Sequence, residues 1–354
     1  MADNTRILMI SRKYPPSTGG MQEFAKDFIG RMEGVYDADK IVFGRGQINL
    51  IWFLPYSFVR SLMLIAAGKH DLVWLCDGLL APMGVVLKKL CKIKVGITVH
   101  GLDITYSNAL YQRVVPASIA ALDRVVCVSE NTLLECTKRG IPCNKCVVIT
   151  NGIEEKKFKS DLTKGELLRS LELAFGKGLG TKKILITVGR VIRRKGVNWF
   201  IDNVMPRLSE DHIYLVAGEG PEMGPIVRKV KEKGIDNRVK MLGRISSAKL
   251  KILYNSAYAM VMPNQKISKD PEGFGIVAIE AASCGLPTVA NSVDGLNDAV
   301  INGKTGWLVE YNNVDQFLDK INDISLHPDA VKKENRVFSW DNIIKKYQKV
   351  IDEL

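Results

Sequence analysis

Short apolar runs alternate with longer stretches of helical spacing along most of the chain. Arg6–Ser11, Asp71–Cys76, Val95–Val99, Arg124–Ser129 and Val147–Thr150 read as buried strands. Between them, Met21–Met32 sets Met21, Phe24, Phe28, Ile29 and Met32 on one helical face, and Met83–Lys92 and Asn131–Arg139 read as further helices. Glu154–Lys183 breaks the alternation. It is highly charged and holds Gly-Lys-Gly-Leu-Gly at 176–180, which predicts a linker. The pattern then restarts, with strands at Ile184–Val188, Ile213–Ala217, Val239–Leu242, Ala259–Met262, Pro287–Ala290 and Trp307–Val309. Helices are expected near Val197–Leu208, Pro225–Lys233 and Ser247–Asn255, and Trp340–Leu354 closes the chain with helical spacing. Strands alternating with helices predict right-handed βαβ units and parallel sheets. The expectation is an α/β protein of two doubly wound domains. Such folds bind ligands outside the carboxyl ends of the strands, here in a cleft between the domains.

Composition narrows the classes. The 354 residues are 46% hydrophobic and 25% charged, an ordinary globular balance and length enough for about two domains. A disordered chain, a collagen-like repeat and a disulfide-knotted mini-protein are excluded. Lys+Arg 50 against Asp+Glu 38 leaves a net charge of +12, which points to an anionic partner: nucleic acid, anionic lipid or a phosphorylated small molecule. Ile7–Ile10 is too short an apolar run for a signal peptide, and no small-residue cleavage site comes after it. Ile48–Gly68 is the most apolar stretch, but Asn49, Pro55, Arg60 and Ser61 interrupt it. A membrane span needs ~20 nearly uncharged residues, so a loop plus a buried helix is expected. The expectation is a soluble, cytoplasmic protein, with contact to a membrane surface left open. Of the seven Cys, Cys127 and Cys284 read as core. The isolated Cys143-x-x-Cys146 lacks the further ligands of a structural zinc site, which leaves a reduced thiol pair beside a metal or redox role.

Two phosphate motifs are missing: G-x-G-x-x-G after the first strand, and G-x-x-x-x-G-K-[ST] anywhere. Dinucleotide oxidoreductase and P-loop readings lose their main support. Instead, Gly19-Gly20 lies between the first strand and the next helix, where the backbone can approach a ligand and offer free N–H groups. Gly189–Gly196 comes directly after a predicted strand and brings Arg190, Arg193, Arg194 and Lys195 with no acid among them. Arg193 and Arg194 fit a solvated basic turn, whereas Gly189-Arg190 at the strand end sets a cation where ligands bind. The strongest pattern is Pro271–Ala281, with Glu272 and Glu280 separated by seven residues and Gly273 and Gly275 flanking Phe274. Ile276–Cys284 reads as a helix whose first turn offers unpaired N–H groups and partial positive charge, suited to a diphosphate. Glu272 before the helix and Glu280 about one turn into it carry the wrong charge for phosphate but suit sugar hydroxyls. The small and apolar neighbours of Glu280 predict burial, which is costly without partners. His100, in His100-Gly101-Leu102-Asp103 after a strand, is either structural or functional.

In this order the pieces resemble the retaining glycosyltransferases of family four, which have the two-domain GT-B fold. The resemblance rests on Gly19-Gly20, His100-Gly101-x-Asp103, Val128-Ser129, Asn151-Gly152-Ile153, Gly189-Arg190 with Lys195-Gly196, Gly218-x-Gly220, Leu242-Gly243 and Glu272-x7-Glu280, spread over nearly the whole chain. It implies a Rossmann-like acceptor domain over residues 1–165, a Rossmann-like donor domain over 166–337, a deep cleft between them, and a last helix, 338–354, crossing back. It implies transfer of a hexosyl group from a UDP- or GDP-sugar to a hydroxyl acceptor, in lipid-linked glycan, polysaccharide or glycolipid synthesis. By the resemblance, Arg190 and Lys195 hold the donor diphosphate and Glu280 the ribose. Glu272 and the backbone of Phe274, Gly275 and Ile276 meet the donor sugar, and Leu242, Gly243, Arg244 and Ile245 lie against the base. Gly19 and Gly20 form the loop that approaches diphosphate and acceptor, and His100 lies near the sugar hydroxyls and the reacting carbon. No metal or other cofactor is implied, and the expectation is a chain without an Asp-x-Asp triplet. Where the family often has Pro-Ser and a short loop, this chain has Pro263-Asn264 and then the longer Gln265–Pro271, as in members with lipid-linked or polysaccharide acceptors.

Three rivals fit less well. A nucleotide-sugar 2-epimerase shares the fold, but the Arg190/Lys195 and Glu272/Glu280 set fits transferases better. A nucleic-acid-binding protein would need zinc-finger spacing, RNP aromatics or a basic helix, and none occurs. A scaffold without turnover has no use for the intact charged set. Lys88–Lys94 and the aromatic-rich Trp52–Phe58 are candidates for a basic, apolar surface, against the simpler reading of solvated lysines around a buried strand.

Overall fold

The structure is a computed structural model, and it describes residues 5–46, 49–68 and 70–354. Met1–Asn4 and Ile48, which entered the leader and apolar-stretch readings, lie outside the described residues. Contacts divide the chain into two compact units. The first is Met1–Gly152 with Lys269–Phe274 and Trp340–Leu354; the second is Ile153–Ser268 with Gly275–Ser339.

The first unit is built on β1 (Arg6–Ser11), β2 (Asp37–Val42), β3 (Leu72–Leu75), β4 (Lys94–Val99), β5 (Arg124–Cys127) and β6 (Cys146–Val148). They form one parallel sheet in the order β2-β1-β3-β4-β5-β6. Both faces are covered, so its inner strands are continuously apolar. Leu8 and Ile10 of β1 enter one core with Val73, Leu75, Val95 and Ile97. Ile7 and Met9 enter the other, with Phe24, Phe28, Trp74, Trp340, Ile343 and Tyr347. The helix Trp340–Asp352 thus completes the second core of this unit, and Trp340 lies on Gly152, where a Cβ would stand 2.4 Å from its indole.

Strand β2 has no counterpart in the sequence-based expectation. It is an edge strand with Ile41 as its one buried residue, and charged edges carry no apolar run. Asp37-Ala38-Asp39 at its start does spell an Asp-x-Asp triplet. It lies at the amino end of the strand, away from the ligand side of the sheet, with Asp37 paired to Arg6 at 2.8 Å and Asp39 to His70 at 3.1 Å. The described part of Ile48–Gly68 is one helix, Leu50–Ala66, and it is not buried as expected. Phe53, Ser57 and Ser61 face inward while its other side is open to solvent. Among the described residues no helix is long and apolar enough to cross a membrane.

The second unit holds β7 (Lys183–Val188), β8 (His212–Ala217), β9 (Val239–Gly243), β10 (Ala259–Met262), β11 (Thr288–Asn291) and β12 (Gly306–Val309). Its parallel order is β12-β11-β10-β7-β8-β9, the doubly wound arrangement that reverses between the first and fourth strands. Glu154–Lys183 is not a linker throughout. Thr163 and Glu166 form a reciprocal capping box for the helix Lys164–Phe175, which packs on the helix Ser247–Ser256. The glycine run is tied down too, since Glu172 Oε1 accepts the Gly178 and Gly180 N–H groups at 3.0 and 3.3 Å. By contacts the second unit begins at Ile153, whose N–H donates to the Phe338 carbonyl at 2.8 Å, where the resemblance implied 166. The helix expected over Val197–Leu208 stops at Asn203, where Pro206 forces a tighter turn. Cys127 and Cys284 are buried as expected, and all seven Cys are free thiols.

Candidate active site

In the first unit the strand order reverses between β1 and β3, and open parallel sheets take ligands at such a point, beyond the carboxyl ends of the strands. His100 comes after β4 there and is 8% exposed. Its N–H donates to Asp103 Oδ1 at 2.8 Å, and its ring meets Phe24 edge-on at 4.7 Å. Nε2 lies 3.1 Å from the Cys76 carbonyl. A carbonyl only accepts, so Nε2 carries the hydrogen and Nδ1 the lone pair in the neutral ring. Burial pushes the imidazole down to about 4, against the opposing pull of the Asp77 carboxylate. His100 is neutral at pH 7, a hydrogen-bond acceptor at Nδ1 and not a cation.

The His100 ring resonances should therefore titrate with a midpoint near 4 instead of the ordinary 6.5, and a midpoint above 6 would contradict the burial. The unfolded chain takes up a proton below 6.5 that the native ring refuses, so His100 subtracts stability as pH falls from 6.5 toward 4 and is silent above it. Asp77 and Asp103, both raised by burial, act with the opposite sign in the acid range.

Glu272 is also buried, and the segment Lys269–Phe274 belongs to this unit. Gly273 lies against His100: a Cβ on it would stand 2.2 Å from the His100 carbonyl oxygen, and one on Gly101 would stand 3.0 Å from the Gly273 Cα. Only glycines permit this approach, which brings the Glu272 loop and the His100 loop together. Gly20 begins the helix Gly20–Met32, and the Gly19 carbonyl accepts the N–H groups of Gln22 and Glu23 at 3.1 Å. Phe274 is buried, whereas Gly19 and Gly20 are exposed.

Two residues at this point escaped the sequence reading. Arg12 directly succeeds β1, and Asp77 lies just past β3, so they flank the reversal. Arg12 Nε donates to Asp77 Oδ1 at 2.7 Å. Asp77 is fully buried, and its Oδ2 has no hydrogen-bond partner among the described residues. Burial raises its carboxyl against the Arg12 guanidinium, which holds it down. The available signal was a charged residue just beyond each of two apolar strands.

In the second unit the reversal lies between β7 and β10. Gly189 and Arg190 come directly after β7, and glycines lock the chain there. Gly189 N–H donates to the Ala217 carbonyl at 2.9 Å, and Gly218 N–H to the Gly243 carbonyl at 2.8 Å. A Cβ on Gly218 would stand 1.8 Å from the Gly189 oxygen, and its φ of +146 is one that side chains avoid. Arg190 is exposed. Lys195 is 8% exposed in the turn Arg193–Lys195, and a Cβ on Gly189 would lie 3.9 Å from its Nζ. The turn is pinned from β10, because Gln265 N–H donates to the Arg194 carbonyl at 2.7 Å and Gly196 leaves no room for a Cβ beside the Pro263 oxygen. Lys195 and Arg190 thus share one glycine-fixed corner, with buried Asn264 on the adjoining strand end.

The helix Ile276–Ser283 begins after Gly275, which holds a left-handed φ of +91. Ile276 is its first residue. Glu280 is half-buried on this helix, and its Oε2 accepts the Tyr254 hydroxyl at 2.8 Å, the partner its apolar setting required. Burial and the Glu280 charge push the Tyr254 phenol far up, so it stays a donor. Gly243 ends β9, with exposed Arg244 and half-buried Ile245 after it.

The family comparison covers both units. Residues 172–338 match the model described as "Glycosyl transferases group 1", and residues 24–157 match "Glycosyltransferase Family 4". The chain belongs to these glycosyltransferases. Among the transferase's relatives is an uncharacterized glycosyltransferase of Methanocaldococcus jannaschii, 27% identical over 96% of each chain. Another is the GDP-mannose-dependent alpha-(1-6)-phosphatidylinositol monomannoside mannosyltransferase of Mycolicibacterium smegmatis, 24% identical over 91% of this chain and 90% of that one. In fold the transferase is similar to Anabaena Alr3699/HepE in complex with UDP, with a TM-score of 0.78 at 16% identity over 99% of this chain and 100% of that one. The same Anabaena protein in complex with UDP-glucose gives 0.77 at 17% identity, also over 99% and 100%. The fold is GT-B.

Proposed function

We propose that this glycosyltransferase moves a hexosyl group from a UDP- or GDP-sugar to a hydroxyl acceptor in lipid-linked glycan, polysaccharide or glycolipid synthesis, with retention and without a metal. The observation that carries the reading is the glycine-locked corner of Arg190 and Lys195 at the strand-order reversal of the second unit. The anomeric C–O bond breaks toward the leaving diphosphate, which takes the electron pair. Charge builds on its oxygens, and the buried Lys195, the exposed Arg190 and the amino end of the helix Ile276–Ser283 stabilise that charge where it develops. The acceptor oxygen bonds on the face the diphosphate leaves, and its proton passes to the departing phosphate.

In this reading Glu280 accepts the ribose hydroxyls while Tyr254 fixes its carboxylate. Glu272 positions the donor sugar and answers positive charge at the reacting carbon, and His100 accepts a sugar hydroxyl at Nδ1. Gly243, Arg244 and Ile245 line the base, and Gly19 and Gly20 admit the diphosphate and the acceptor. The donor class is supported by relatives that depend on GDP-mannose and by a neighbour in complex with UDP-glucose.

Thermal shift with UDP, GDP and ADP, and with their sugars, tests the donor class. Saturation at about 100 times Kd should add ~2.7 kcal/mol to stability, and no shift with any nucleotide would overturn the reading. Transfer should persist in EDTA. Loss of transfer that Mg²⁺ or Mn²⁺ restores would refute the metal-free step, and hexosamine epimerisation without acceptor would favour the epimerase.

A further inference from the structure

The helix Leu50–Ala66 has no acid and one base, Arg60, in 17 residues. Such a helix is expected to be buried all round, and this one is not. Phe53, Ser57 and Ser61 face the core, and Ser57 Oγ lies 3.4 Å from Met83 Sδ on the neighbouring helix Ala81–Cys91. The opposite side is open, with Ile51 71%, Trp52 78%, Tyr56 61%, Val59 48% and Met63 61% exposed. At 100° per residue these positions form one apolar stripe along the helix. Val86 and Leu90 are also exposed, three and seven positions after Met83 and so on the same side of their helix. A continuous apolar face of this kind marks a docking surface.

The exposed charge on the neighbouring helix and its end is basic. Between Leu50 and Lys94 the acids are Asp71, which accepts the Arg6 N–H, and Asp77, which is fully buried. Lys88 pairs with Asp123, whereas Arg60, Lys89, Lys92 and Lys94 are exposed to solvent. A second copy on a two-fold axis would set this patch against itself, cation facing cation. An anionic bilayer matches both halves, with acyl chains for the stripe and headgroup phosphates for the bases. At 1.5 Å per residue the helix is about 25 Å long, short of the ~30 Å hydrocarbon layer.

We propose that the helix Leu50–Ala66, with Lys89 and Lys92 on the neighbouring helix and its end, lies in the headgroup plane of an anionic lipid bilayer and docks the first unit there. Flotation with vesicles of phosphatidylglycerol and phosphatidylcholine tests this independently of transfer. The full chain should float with the mixed vesicles at low salt and weakly with pure phosphatidylcholine. Trp52→Asp with Met63→Asp should cut the bound fraction at least about tenfold. Lys89→Glu with Lys92→Glu should weaken binding to the anionic vesicles alone. Melting temperatures of both variants should match the parent, since every altered side chain is exposed. A parent chain that floats with neither vesicle overturns the proposal. So does a dimer in light scattering that Trp52→Asp dissociates while vesicle binding is unchanged, which would assign the stripe to a second copy.

Discussion

Lys195→Ala is expected to lower kcat by about 10²–10³, with a much smaller change in KM for the donor. The ammonium sits in a water-poor corner against Gly189, 8% exposed, and its field is not diluted by solvent. In the proposed reaction its interaction with the diphosphate would grow as the anomeric bond breaks, so the loss should fall on the transition state more than on the ground state. On its proposed role of answering positive charge on the sugar, Glu272→Ala should show a loss of the same order. Arg193→Ala is the control. That side chain is exposed in the same turn and should leave the rate within about twofold, as surface substitutions away from special features do. Steady-state transfer on chains shown to be folded by circular dichroism makes the comparison. An unchanged kcat for Lys195→Ala would remove the diphosphate site from this corner.

Much of this corner was legible in the sequence because its parts are local. A cation one or two residues beyond an apolar strand, with glycines beside it, needs no tertiary information to be noticed. Glu280 was legible for the same reason, since a carboxylate among Ala278, Ile279, Ala281 and Ala282 demands a partner. That the partner would be Tyr254, 26 residues earlier on another helix, was not legible. Nor was the approach of Gly273 to His100, which joins loops far apart in sequence and is encoded only as two glycines with several possible uses. Arg12 and Asp77 were missed because an ion pair between the ends of two strands depends on those strands being neighbours, which only the sheet order supplies. Strand β2 was missed because an edge strand is defined by its partner and not by its own hydrophobicity. Glu154–Lys183 was read as a linker from its charge and its glycine run, although the capping box at Thr163 and Glu166 was readable in that segment.

The largest effect on stability is expected at Trp340, where the last helix joins the first unit. Its indole is 1% exposed, lies on Gly152 and meets Phe24 at a centroid distance of 5.7 Å. Trp340→Ala should cost ~3–5 kcal/mol, the range for emptying a large aromatic site that cannot collapse. Collapse is hindered here because Gly152 has no side chain to move in, and Phe24 is held by Phe28 at 5.4 Å and His100 at 4.7 Å. Each unit has its own cores, so calorimetry of the variant should resolve two transitions, the first unit melting lower by on the order of 10 °C. The Trp340 Nε1–H has no hydrogen-bond partner among the described residues. Trp340→Phe therefore keeps most of the ring contact and removes a buried donor that costs about 1–3 kcal/mol to leave unmade, and it should fall far closer to the parent than Ala. The two variants separate packing from polarity. If Ala and Phe destabilise equally, the indole nitrogen is making a bond. If neither does, the helix Trp340–Asp352 is not what closes the core behind His100. Because Phe24 touches both Trp340 and His100, the Ala variant should also move the His100 titration upward as the ring gains access to water, a coupling that loss of global stability alone would not produce.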